Sequence, residues 1–296
     1  MSLKGKVALV TGASRGAGRG IAYELAIAGV KVYITGRSRD GESTTQYEDL
    51  TLDQTVKMIE KSDGVAIPIT CDHEYAKQIK EVFNKIKSEN DKLDILVNNI
   101  WGGYMGEYGN LDIETSSFTA PFWDQPLWRF ERMFFVAARA HFVGSQYAAQ
   151  IMKEDRSGLI VTTSFWDNDK YISNLPYDLV KVFKNRMSLG MAIDLKPYNV
   201  TTLTLGLGWI RTEHLKRLHD LDDFNYKQKK GFEKTESTRY AGRAIVALAS
   251  DPNIIRHTGK IFTTAELARM YLFTDLDGSQ PEFFSVDDKS DGIKQR

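Results

Sequence analysis

Val7–Gly18, "VALVTGASRGAG", decides how this chain folds. Val7–Val10 is a short apolar run without helical spacing, which predicts a buried strand. Thr11–Gly18 ("TGASRGAG") follows with glycines at 12, 16 and 18, and Ile21–Ala28 continues as a helix. A Gly-rich turn between a strand and a helix lets the backbone approach a pyrophosphate, whose charge the helix N-terminus favours. Alone, a glycine cluster is only a tight turn. Placed after the first strand and opening a helix, it predicts that Gly12, Ser14, Arg15, Gly16, Ala17 and Gly18 bind a dinucleotide.

Outward from that turn the chain alternates. Lys31–Thr35, Val65–Thr70 and Ile95–Asn98 read as strands, separated by a helix through Lys57–Lys61 and another over Tyr75–Asn90. Leu159–Thr163 and Thr201–Leu205 read as buried strands on either side of a long helix that starts near Pro176, and Gly259–Thr263 ("GKIFT") as the last strand. Such alternation predicts an α/β fold: a Rossmann-like, doubly wound parallel sheet with helices on both faces, in one domain over residues 1–296. Ser38–Asp53, Tyr104–Gln125 and Glu213–Glu236 look additional to that core, the last as a lid-like segment. Ser285–Arg296 is nearly all polar and is expected to fray.

Composition narrows the function. The 296 residues carry 39 Lys plus Arg and 39 Asp plus Glu, so no basic excess offers itself to nucleic acid. A single cysteine, Cys71, gives no internal disulfide and suits a reducing compartment. The histidines at 73, 141, 214, 219 and 257 are too scattered for a metal cluster. No run reaches membrane-span length and no leader pattern opens the chain. A cytoplasmic protein is expected, with no metal, nucleic-acid or membrane partner.

The end of the second strand reads Thr35-Gly36-Arg37, without the acid that accepts from the ribose hydroxyls of NAD. Arg37 and Arg15 suit a 2′-phosphate instead, because guanidinium recognises phosphate through charge-assisted, planar contacts. The bland alternative is two solvated arginines. Asp72, just past the third strand, is a candidate acceptor for the adenine amino group. NADP(H) is the expected cofactor, with NAD(H) as the alternative.

Leu175–Lys181, "LPYDLVK", sets Tyr177 and Lys181 on one helix face. Pro176 suits the first turn, and Asn174 or Ser173 the cap. With the Gly-rich turn, "VNN" at Val97–Asn99 and Tyr177-x-x-x-Lys181 in this order, the sequence resembles the short-chain dehydrogenase/reductase family from about Gly5 to Thr264. Ala120–Trp128, Ala140–Ala149 and Tyr271–Gly278 carry a likeness to one subgroup of it. The resemblance implies a nicotinamide cofactor bound in part by Asn98 and Thr212, carbonyl/alcohol chemistry on a small molecule, and a dimer or tetramer. It makes Tyr177 the general acid or base. Lys181 becomes the residue that holds the nicotinamide ribose and lowers the phenol pKa, and Ser164 the one that binds the substrate oxygen. A phenol with a pKa of about 10 needs such help to work near neutrality.

The sequence departs from the family pattern in three places. The relay asparagine after the fourth strand is Ala137, with His141 one turn on. Asn-Asn-Ala-Gly is here Asn98-Asn99-Ile100-Trp101, and Pro-Gly after the sixth strand is Leu207-Gly208. The first two departures keep a second class open, a catalytically weak dinucleotide-binding sensor or scaffold; an NAD-linked alcohol dehydrogenase is the runner-up among enzymes. Trp101, Phe165, Trp166 and Trp209 each follow a strand and are expected to wall a pocket for an apolar, aromatic substrate. Trp128 is expected in the core. The paired acids in Asp167–Lys170 and Leu218–Asn225 are expected to be solvated charge or a polar rim.

Overall fold

The computed structural model describes residues 3–103, 120–167, 170–171 and 174–287. Strands β1 (Val7–Thr11), β2 (Lys31–Gly36), β3 (Val65–Thr70), β4 (Ile95–Asn98), β5 (Gly158–Ser164), β6 (Val200–Gly206) and, after the two-residue pair β7 (Ile210–Arg211) and β8 (Glu236–Ser237), β9 (Ile261–Thr263) account for the sheets. Seven of them form one sheet in the order β3-β2-β1-β4-β5-β6-β9, every pairing parallel. The strand order reverses between β1 and β4, so a crevice opens at their C-terminal ends. Pro68 is tolerated because β3 is an edge strand.

Helices α1 (Gly16–Ile27), α2 (Leu52–Glu60), α3 (Ala76–Asn90), α4 (Leu127–Arg132), α5 (Ala140–Asp155), α6 (Leu175–Leu195), α7 (Glu213–His219), α8 (Thr238–Ser250) and α9 (Thr264–Tyr271) complete the pattern. The period of two along the strands separates two cores. Val10, Val97 and Val161 face Ile21, Leu25 and Ile245 on one side. Leu9, Leu96 and Ile160 face Phe83, Ile86 and Ile151 on the other. Between α4 and α5 the chain is π-helical over Met133–Arg139, around Ala137. In α4 the buried residue is Arg129, its guanidinium 5.1 Å from the Trp128 ring, and Trp128 itself is only half-buried.

The additional segments serve the crevice. In 38–53, Thr51 caps α2 by accepting from Gln54 N at 3.1 Å, and Arg39 pairs with Asp53 at 2.6 Å. Tyr47 Oη meets His214 Nδ1 at 2.9 Å and Arg217 reaches Asp49 at 3.0 Å, which ties this segment to α7. Residues 213–236 are pinned through Arg211, which has no exposed surface. It meets Asp275 at 3.3 Å and Asp223 at 3.5 Å, lies 3.5 Å from the Tyr226 ring, and donates to the Thr235 carbonyl. The lid-like segment is therefore a clamped roof. Most of 104–125 lies outside the described residues; Phe122 and Trp123, at its end, are exposed.

The expected fraying at the C-terminus is corrected for Ser285 and Val286. Asp167 accepts from Ser285 Oγ at 2.9 Å and Val286 N at 2.8 Å, and Lys170 reaches Ser285 Oγ at 2.6 Å. Asp167 is a buried anchor and not solvated charge. Asp223, likewise, is a partner of Arg211 and Lys216.

Candidate active site

A cavity of about 530 Å³ occupies the crevice at the strand ends, within the range of small-molecule sites. One end is the turn after β1. Gly12 and Gly16 have φ of +70° and +58°, values that disfavour any side chain. A Cβ on Gly18 would lie 2.2 Å from the Gly12 carbonyl, so that position needs glycine for close packing rather than for cavity wall. Gly12, Ser14, Arg15, Gly16 and Ala17 line the cavity. Gly16 N, at the opening of α1, donates to Glu213 Oε2 at 2.8 Å, and Glu213 Oε1 lies 3.4 Å from Arg19. A carboxylate thus already sits where the helix N-terminus attracts an anion.

Arg37 and Asp72 line the same end, 3.9 Å apart. Burial first, and then the charge of Arg37, holds the Arg15 guanidinium down at about 10, although Glu213 opposes the shift. The two arginines are close enough to repel each other, which an incoming anion relieves. The glycine cradle, the helix N-terminus and the two guanidiniums fit the phosphates of a nicotinamide dinucleotide, with the Glu213 carboxylate as the anion they would displace.

The other end gathers Ser164, Tyr177 and Lys181 around the cavity; Thr212 also lines it, but beside the glycine turn, its Cγ2 3.5 Å from where a Gly16 Cβ would lie. Asn174 opens α6 by accepting from Tyr177 N at 2.9 Å, which fixes the start of the turn carrying the phenol. Ser173 lies outside the described residues. Ser164 Oγ ends β5 within 3.3 Å of the Lys181 carbonyl. Lys181 Nζ lies 4.6 Å from the Tyr177 ring centroid and 4.3 Å from that of Trp101, and burial pushes its ammonium down to about 7. Trp101 meets Tyr177 edge-on, with ring centroids 5.2 Å apart. The bulky residue after β4 is a wall beside Tyr177 and Lys181. At the third departure, Leu207 N donates to the Ser164 carbonyl at 3.0 Å, a bond that a proline would lack.

Two expected site residues are corrected. Asn98 is buried and turned to α5, its Nδ2 on Ser145 Oγ at 2.8 Å; Asn99 faces the cavity in its place. Trp166 does not line the cavity, whereas Trp101, Phe165 and Trp209 do. His141 is fully buried, with Nε2 on the Ile100 carbonyl at 3.0 Å. Sequence reasoning missed Lys184, Phe284 and Val286, which also line the cavity. Phe284 packs against Phe165 and Trp209, with centroids at 6.3 and 5.8 Å. Its place was hidden by the polar residues around it; Lys184 had a signal, since it stands three positions beyond Lys181. Among the described residues no three His, Cys, Asp or Glu side chains group as metal ligands, and no helix is long and apolar enough to cross a membrane.

Such a site, a phenol and an ammonium at the end of a dinucleotide cradle, is that of a nicotinamide-dependent oxidoreductase. The chain belongs to the short-chain dehydrogenase/reductase family, whose enzymes act on CH–OH and C=O groups with NAD(P). The family's "short chain dehydrogenase" model matches residues 6–222. The mouse protein named dehydrogenase/reductase SDR family member 1 is 34% identical over 96% of this chain and 88% of its own length. Its human counterpart is 33% identical over 93% and 85%. Among solved structures, a 7α-hydroxysteroid dehydrogenase complexed with NADH and 7-oxoglycochenodeoxycholic acid superposes with a TM-score of 0.69 at 24% identity, covering 94% of this chain and 96% of that one. That last likeness speaks to the fold alone.

Proposed function

We propose that this protein is an NADPH-dependent reductase of ketones or aldehydes with an apolar, aromatic body. The observation that carries the cofactor assignment is the adjacency of Arg15 and Arg37 at the end of β2, where no acid stands at residues 35–37. Two guanidiniums suit a 2′-phosphate. Asp72, 3.9 Å from Arg37, draws on part of that charge, and this favours NADH as the second reading.

When bound, the nicotinamide supplies the hydride. The chain's own part is to hold the substrate oxygen and to move one proton. Ser164 Oγ donates to the carbonyl oxygen, and Tyr177 Oη gives that oxygen its proton. The Lys181 ammonium steadies the phenolate left behind. Trp101, Phe165, Trp209 and Phe284 exclude water and favour a flat apolar body. The same reading places the protein in the cytoplasm, on its single cysteine, and makes it a homo-oligomer. Phe134, Phe135 and Phe142 on the α4–α5 helix and Leu179, Val182 and Ile193 on α6 are exposed, a face suited to a second copy.

The test is NADPH and NADH oxidation with a panel of aryl and alkyl carbonyls. Preferred turnover of aryl ketones with NADPH is expected. Faster turnover of small polar ketones would remove the aromatic pocket from the account. Tight NADPH binding without turnover anywhere would replace the reductase by a sensor.

A further inference from the structure

One group in the cavity has no task in the scheme above. Lys184 is 1% exposed, yet it lines the cavity. Its Nζ donates to the Thr163 carbonyl at 3.2 Å and lies 5.0 Å from the Trp101 ring centroid. Lys181, one turn earlier on α6, brings its own Nζ to 4.3 Å from the same ring. Two amines converge on one indole, and neither has a carboxylate partner among the described residues. Burying an ammonium without a counter-charge costs several kcal/mol, where leucine or methionine would fill the space at none. The position asks for a nitrogen.

The neighbouring helix supplies the reason. Ala137 packs beside Val180, and one turn further on His141 feels the charges of Lys184 and Lys181. The Ile100 carbonyl accepts from His141 Nε2, which leaves Nδ1 a bare acceptor in a buried neutral ring. The groups facing Lys184 are therefore Lys181 from α6, His141 from α5, the Thr163 carbonyl from β5 and Trp101 from the loop after β4. None is a carboxylate. Ala137 offers no side chain to a relay.

We infer that Lys184 is the second amine of a proton relay, standing behind Lys181 in place of the missing asparagine and exchanging a proton with it through cavity water. It acts through Lys181 and is a positioning residue rather than a catalytic one. The inference rests on the reductase reading. In reduction the carbonyl carbon receives the hydride, Tyr177 gives its proton to the carbonyl oxygen, and Lys181 restores it. Lys184, neutral at rest, then takes a proton from water at the cavity mouth and passes it to Lys181. Each turnover moves one proton from solvent to the product oxygen, and oxidation runs the same path backwards. Burial and the charge of Lys181 hold Lys184 well below the usual lysine range, as a neutral amine. Once Lys181 gives up its proton the repulsion vanishes and Lys184 gains affinity for one, so the pair titrates as a unit.

The experiment compares Lys184→Met, which fills the space, with Lys184→Arg, which keeps a donor for Thr163 but cannot release its proton. Both are expected to lower kcat by about 10²-fold with NADPH affinity kept, to shift the pH profile, and to recover part of the rate when Ala137→Asn is added. Independently of turnover, Cε resonances of 13C-lysine protein should show Lys184 titrating below the normal range, and Lys181 titrating differently once Lys184 is methionine. A Lys184 signal titrating as an ordinary lysine, or variants with wild-type rate and pH profile, overturns the inference. If wild type reduces no carbonyl, the reductase reading fails, and the lysine titration alone decides whether the amines are coupled.

Discussion

At the β1–β3 end of the cavity the wall is backbone and charge, delivered by the turn at Gly12–Gly18 and by Arg37 and Asp72. At the β4–β6 end it is side chains from distant segments: Trp101, Ser164, Tyr177, Lys181, Leu207 and Phe284. The first end needs only an approach to phosphates, which a glycine turn and a helix N-terminus supply locally. On the proposed reading the second shapes an apolar volume and tunes a proton, and both depend on what packs around it. Changes at the first end should act on cofactor affinity, and changes at the second on rate, specificity and pH response.

The largest effect expected outside the reacting groups tests the pH half of that contrast. Glu236, buried behind Gly208, accepts from Gly208 N at 3.1 Å and Thr264 Oγ1 at 2.6 Å, yet burial raises its carboxyl to about 7. The folded protein holds that proton between the ordinary carboxyl value near 4.5 and about 7, where the unfolded chain does not. Its contribution is thus fully present below pH 4.5 and lost as pH rises to 7. Denaturant titrations should show the stability of Glu236→Gln relative to wild type rising by about 3 kcal/mol across that window. A flat difference would mean that Glu236 is ionised throughout.

Arg37→Asp tests the cofactor end. NADPH affinity should fall about 30-fold relative to NADH by calorimetry, with kcat on bound cofactor little changed. An unaltered preference puts the 2′-phosphate elsewhere. Phe284→Ala should raise KM for aryl ketones about tenfold and leave NADPH affinity alone; equal loss for alkyl ketones would deny the tail a part in specificity. The smallest effect is at Glu213, whose carboxylate holds the anion position on Gly16 N. Glu213→Gln should tighten NADPH binding about threefold by removing a competing charge, and weaker binding would show that Glu213 organises the cradle.

The same contrast explains what the sequence told. Ile95–Asn98 was legible to the residue because a buried strand of a parallel sheet is a continuous apolar run. Val65–Thr70, though a half-exposed edge strand, was legible because its β-branched run is bounded by Gly64 and Asp72. Tyr177, Lys181 and the glycine turn could be set on one cavity from the sequence because their motifs are local. Asn98 and Asn99 were not told apart: they are adjacent in sequence, and the strand's alternation sends one to α5 and the other to the cavity. Phe284 was invisible because its position depends on Asp167, more than a hundred residues away. The segment 213–236 read as lid-like from its charges, although Arg211 pairs with Asp223 and Asp275, and Lys216 with Asp223.

The central claim is that one end binds and the other reacts through Tyr177. NADPH affinity and single-turnover oxidation should therefore be measured on wild type and Tyr177→Phe with the best aryl ketone. The account predicts affinities equal within about twofold and a rate lower by about 10³-fold in the variant. A Tyr177→Phe protein that oxidises NADPH at nearly the wild-type rate would contradict it, and would put the proton donor elsewhere in the cavity.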